Sequence, residues 1–137
     1  MNSYLALKKA QAKEWNAFPL GFAFSDKQFK EMMEKWGLRP GETDKIYSIG
    51  AGGFVRKSDA DALHEMIERH ERELKNAREE NKDDYLFNMF DYELANHEFG
   101  YTGDVTDTLD ALCLTMDEIM ENKAMREAFN RAVNKYI

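Results

Sequence analysis

The chain has 137 residues, 43% hydrophobic and 33% charged, with 19 Lys/Arg against 26 Asp/Glu for a net charge of −7. That length suits one domain; it can bury roughly 68% of the surface exposed when unfolded and needs no metal or disulfide to fold. Cys113 is the single cysteine, which excludes an internal disulfide framework and fits a reducing cytoplasm, and the longest uncharged run, the eleven residues 15–25, falls short of the roughly 20 apolar residues that span a bilayer.

No cationic stretch precedes an apolar core at the N-terminus, so no secretory signal is expected. Residues 4–15 have helix-forming composition, with Leu5, Leu7, Ala12 and Trp15 available for burial. Pro19 stops that helix, because the residue before a proline is pushed out of the α region. Residues 20–24 read as a short strand. Ser25 and Gln28 then have capping-box spacing, and Phe29, Met32, Met33 and Trp36 follow at i, i+3, i+4 and i+7, an apolar helix stripe that Gly37 ends. Residues 45–49 and 54–56 predict strands flanking Gly50-Ala51-Gly52-Gly53. Ser58, with Asp61 three residues on, predicts the cap of a long helix. Its stripe is Leu63, Met66, Ile67, His70, Leu74 and Ala77, and it runs out near Glu80. Asp83 and Asp84 open and cap an aromatic helix carrying Tyr85, Leu86, Phe87, Met89, Phe90, Tyr92 and Leu94. A loop at 100–104 follows. Thr106 and Thr115 each offer an N-cap, the second with Glu118 in capping-box register, and a last helix is expected to bury Met125, Phe129, Ala132, Val133 and Tyr136. The expected fold is α+β, mainly helical: one globular domain over residues 1–137, with five to six helices and a small two- to three-stranded antiparallel sheet near the N-terminus.

Three stretches invite a chemical reading. Gly50–Gly53 followed by Lys57-Ser58 resembles a phosphate-binding loop, but such a loop places its last glycine directly before the lysine, and here Arg56 stands there. The glycines read as a hairpin turn, where positive φ is needed. His64-Glu65-Met66-Ile67-Glu68-Arg69-His70 resembles a zinc-protease helix, which needs two ligands four apart on one face. The second histidine falls at i+6 instead and belongs to the apolar stripe. Glu93 and His97 are again i, i+4, with Asp91 and Asp104 near in sequence, but no serine, cysteine or second histidine gathers around them. Cys113, between Leu112 and Leu114, reads as a buried, unreactive thiol. These stretches predict no catalytic residue, no metal site and no cofactor.

Charge distribution is the stronger signal. Residues 1–57 hold ten Lys/Arg and six Asp/Glu, whereas residues 58–137 hold nine and twenty. From Asp83 to Asn122 there are eleven acidic residues and no Lys or Arg. Helix capping accounts for three or four of them, since carboxylates favour helix N-termini by about 0.3–1 kcal/mol. The rest predict an acidic surface that attracts a basic partner and resembles a nucleic-acid backbone. Asp83, Asp84, Asp91, Glu93, Glu98, Asp104, Asp107 and Asp110 are the candidate partner-binding residues. Direct nucleic-acid binding and a membrane role are not expected.

Residues 18–29 (Phe-Pro-Leu-Gly-Phe-Ala-Phe-Ser-Asp-Lys-Gln-Phe), residues 46–57 (Ile-Tyr-Ser-Ile-Gly-Ala-Gly-Gly-Phe-Val-Arg-Lys) and residues 92–99 (Tyr-Glu-Leu-Ala-Asn-His-Glu-Phe) together resemble a family of small proteins of unassigned function. Its members are encoded by phages, prophages and other mobile elements of gut-associated Gram-positive bacteria. The resemblance brings no catalytic motif. It implies a genomic setting in which small acidic proteins often act on host defence, for instance by occupying the nucleic-acid channel of a CRISPR effector or restriction enzyme. The expected function is therefore a cytoplasmic, non-enzymatic inhibitor that blocks a basic, nucleic-acid-binding host protein. The alternatives are a small metal-dependent enzyme using a His/Glu helical pair, or a structural or accessory phage protein.

Overall fold

A computed structural model of the protein describes residues 2–137. In chain order its elements are α1 (Ser3–Ala17), β1 (Gly21–Phe22), α2 (Asp26–Lys35), β2 (Ile46–Gly50), β3 (Gly53–Arg56), α3 (Lys57–Glu80), α4 (Tyr85–Asn96), α5 (Phe99–Thr102), α6 (Thr106–Ala111), α7 (Met116–Glu121) and α8 (Lys123–Asn134), with 3-10 turns at Thr43–Lys45 and Lys82–Asp84. The described residues are mainly helical, and two parts of the expected architecture are corrected. The described residues form eight helices rather than five or six, and the three-stranded sheet lies within residues 21–56, after a complete helix, rather than at the N-terminus. Three of the eight are short: α5 has four residues, α6 and α7 six each. Helices of that length are marginal alone and form through tertiary packing, so no periodic stripe announces them.

The chain divides into two compact units, residues 12–72 and residues 1–11 with 73–137. In the first, the sheet order is β1-β3-β2, both pairings antiparallel. Ala51 (φ 51°) and Gly52 (φ 77°) link β2 to β3. Two successive positive-φ residues are what a tight two-residue hairpin requires, because that backbone twist matches the strands. The glycine run is thereby consumed by the turn. Ser25 Oγ accepts from the Gln28 N–H at 3.2 Å, but the Gln28 side chain accepts from the Phe24 N–H rather than returning to Ser25. On α2, Met32 and Met33 are buried and Phe29 partly so, and with Trp36 just beyond its end they pack with Ile46 and Phe54. A second cluster joins Val55 to Leu63 and Met66, with Trp15, Phe18 and Leu20 around it. The expected cap at Ser58 is corrected: β3 runs straight into α3, whose first residue is Lys57. His70 is buried on the α3 stripe, and its Nε2 lies 3.4 Å from Glu14.

In the second unit, α4 supplies Tyr85, Leu86, Met89, Phe90 and Leu94 to a core shared with Ala128, Phe129 and Ala132 of α8. The rings of Phe90 and Phe129 meet edge-on at 5.3 Å. Three local readings are corrected here. Asp83 and Asp84 do not cap α4; both take left-handed φ, and the Asn81 side chain accepts from the Leu86 N–H at 2.9 Å instead. Thr106 is not a cap, because Asp104 accepts from its N–H and its hydroxyl. Cys113 is exposed, not buried. It takes φ 53°, and the Leu114 N–H reaches back to the Leu109 carbonyl at 3.0 Å. That is a Schellman closure of α6, and it turns the thiol outward. The Thr115–Glu118 capping box forms in full. Tyr136, expected in the core, is exposed.

Candidate functional site

Three of the eleven acids that have no intervening base in sequence gain counter-charges in space. Arg131 of α8 grips Asp84 with two nitrogens at 3.0 and 2.9 Å. Lys135, just beyond α8, reaches Asp91 at 2.7 Å. Both cations also lie over the Phe87 ring, at 4.5 and 5.8 Å from its centroid. The packing of α8 against α4 thus carries two cations to Asp84 and Asp91.

Glu93 is placed differently again. It points into the core and is 2% exposed. Its Oε1 accepts from the Tyr4 hydroxyl at 2.7 Å and from Lys8 Nζ at 2.8 Å, both on α1. Its Oε2 lies 3.3 Å from His97 Nε2, and its main-chain carbonyl accepts from the Thr108 hydroxyl at 3.3 Å. Burial pushes the Glu93 carboxyl up, but the hydrogen bonds from Lys8 and Tyr4 and the nearby charges of Lys8 and His97 outweigh it and hold the group below its ordinary value. Burial and the adjoining carboxylate push the Tyr4 phenol far up. Glu93 is therefore an ionised, fully occupied carboxylate that ties α1 and α6 to α4. Both its oxygens are engaged, so it is not available at the surface.

The remaining candidates are on the surface. Asp104 is exposed but occupied by Thr106, whose donors hold its carboxyl low. Asp83, Glu98, Asp107 and Asp110 are exposed and make no ion pair among the described residues. The unit that carries them holds nine Lys/Arg against fifteen Asp/Glu, a net of −6. Sequence reasoning missed Tyr4, Lys8, Arg131 and Lys135 as partners of the belt, and no local signal could have found them, since they stand 44 to 89 positions from the acids they meet.

The helical His/Glu pairs do meet. His64 Nε2 is 2.9 Å from Glu68 on an exposed face of α3, and His97 belongs to the Glu93 cluster. Neither pair gathers a third His, Cys, Asp or Glu ligand among the described residues, where a structural zinc takes four and a catalytic one three. No helix among the described residues is long and apolar enough to cross a membrane. No curated protein and no solved structure matches the chain. A family match does cover residues 3–135, and on that extent the chain belongs to the Family of unknown function (DUF7659).

Proposed function

We propose that this chain is a non-enzymatic binding protein whose acidic unit engages a basic protein surface. The observation that carries the reading is the set Asp83, Glu98, Asp107 and Asp110: exposed carboxylates left without counter-charges in a unit of net −6. Lys8, Arg131 and Lys135 have already been spent on Glu93, Asp84 and Asp91, so these four charges are open to a partner. A surface of this sign recruits cationic partners from solution and accelerates their encounter. Surfaces that bind nucleic acid are the basic surfaces such a mimic fits best. With the resemblance to phage and mobile-element proteins, the reading extends to a host-defence protein of the cytoplasm, blocked where it would hold DNA or RNA.

The test uses affinity capture from a host lysate, with and without nuclease, followed by kinetics on the captured protein. The variant combines Asp83→Asn, Glu98→Gln, Asp107→Asn and Asp110→Asn. Parent association is expected to slow as salt shortens the screening length, about 8 Å at physiological strength. The variant should associate more slowly at low salt while melting no lower than the parent. Equal affinity for parent and variant at low salt, with the fold intact, would remove the belt from the interface.

A further inference from the structure

The Lys57-Ser58 pair that the hairpin glycines leave unexplained sits in a cavity of about 380 Å³ lined by Trp36, Leu38, Asp44, Lys45, Arg56, Lys57 and Ser58. We propose that this cavity binds a phosphate group carried on a small organic molecule. Three cationic residues from three elements line it: Lys45 from the 3-10 turn, Arg56 from the end of β3 and Lys57 from the start of α3. Asp44 is the one carboxylate in the lining. Two of the cations are held in place by neighbours that leave donors free. Arg56 Nε and Nη2 both go to a single oxygen of Asp59, each at 2.9 Å, and its guanidinium lies 5.6 Å from the Trp36 ring centroid. Its Nη1 hydrogens remain for a ligand. Lys45 Nζ makes one contact, to Glu42 at 2.5 Å, and keeps two further hydrogens. Lys57 makes no ion pair among the described residues; its ammonium lies over the Tyr47 ring at 4.9 Å.

The backbone adds to this set. Because β3 passes directly into the 24-residue α3, no side chain accepts from the first-turn N–H groups of Lys57, Ser58 or Asp59 among the described residues. Those donors and the helix dipole favour an anion beside cations that are already there. A phosphate, with up to two charges and oxygens facing several directions, can use donors that arrive from separate elements, and charge-assisted bonds of this kind are the strong ones. The cavity is larger than a phosphate ion and falls within the range of small-molecule sites. Trp36 and Leu38 in the lining give an apolar surface for the organic remainder. The proposal uses none of the acidic residues of the proposed partner surface and stands or falls independently of them.

The experiment is calorimetric titration of the full chain with inorganic phosphate, adenosine 5′-monophosphate and adenosine. Saturable one-site binding is expected for the monophosphate, weaker binding for phosphate and none for adenosine. The double variant Lys57→Gln/Ser58→Ala should bind the monophosphate at least about tenfold more weakly with an unchanged melting temperature. Arg72→Gln, outside the lining, should bind as the parent does. The assignment is overturned if neither phosphate nor the monophosphate binds saturably, if adenosine binds as tightly as its monophosphate, or if the double variant binds like the parent.

Discussion

Glu93 is the one buried acid of the stretch from Asp83 to Asn122, and its surroundings decide how it behaves with pH. Its folded-state carboxyl is held below the ordinary glutamate value. Above the ordinary range both folded and unfolded chains carry the charge, and the folded state has the full benefit of the hydrogen bonds from Lys8 and Tyr4. As pH falls through that range the unfolded chain takes up the proton first, so this share of stability is lost until the folded group protonates as well. Glu93→Gln removes the charge and leaves an amide facing Lys8 and the Tyr4 hydroxyl. A loss of about 2 kcal/mol at neutral pH is expected. Urea unfolding at pH 7 and at pH 4 checks both points: the gap between parent and variant should narrow at the lower pH. A gap that widens on acidification would place the stabilising charge elsewhere.

At the scale of elements, close approach and capping carry the consequences. Gly21 on β1 lies so near α2 that an added Cβ would stand 2.5 Å from Met32 Sδ and 2.7 Å from the Trp36 ring. Gly21→Ala is expected to cost about 1–3 kcal/mol through overpacking, read as a lower urea midpoint with an unchanged slope. Asn81 combines left-handed φ with the hydrogen bond to Leu86 N. Asn81→Ala should lose about 1–2 kcal/mol, since the cap goes and alanine tolerates that φ poorly. Asp83→Asn should stay within about 0.5 kcal/mol, because asparagine adopts the left-handed region readily and Asp83 caps nothing. Thermal melts of the two variants side by side separate them; a reversed order would return the cap to Asp83.

For the whole molecule the relevant quantity is how charge is distributed after folding. The forty-residue stretch without Lys or Arg loses three of its eight candidate carboxylates, Asp84, Asp91 and Glu93, to cations brought by α8 and α1. The exposed ion pairs among them contribute little to stability, typically 0–1 kcal/mol each, but they set which carboxylates remain open. Neutralising Asp83, Glu98, Asp107 and Asp110 together removes like-charge repulsion and no bonded contact. The quadruple variant should therefore melt at or above the parent temperature at low ionic strength, with the difference shrinking in salt. A drop in melting temperature confined to low salt would show that these charges hold the fold.

Where physics acts within a few residues, the elements could be read from the chain alone. The α2 stripe with its Ser25 cap and Gly37 stop, the positive-φ hairpin at Ala51-Gly52, the buried face of α3 through Leu63, Met66 and His70, and the Thr115–Glu118 box all follow from short-range geometry. Short helices without room for a periodic stripe, and caps where Asn81 and Asp104 displaced better-looking neighbours, were settled by packing. So was the outward turn of Cys113. The acidic run announced a charged surface, yet which carboxylates stay open depends on Lys8, Arg131 and Lys135, which lie 44 to 85 positions away. The cavity at the start of α3 is of the same kind: Trp36, Lys45 and Lys57 meet only once the sheet and α2 have closed. Hydrogen-bonded turns and caps are written in neighbouring residues, whereas Coulomb pairing and cavity walls depend on distance in space, which folding alone sets.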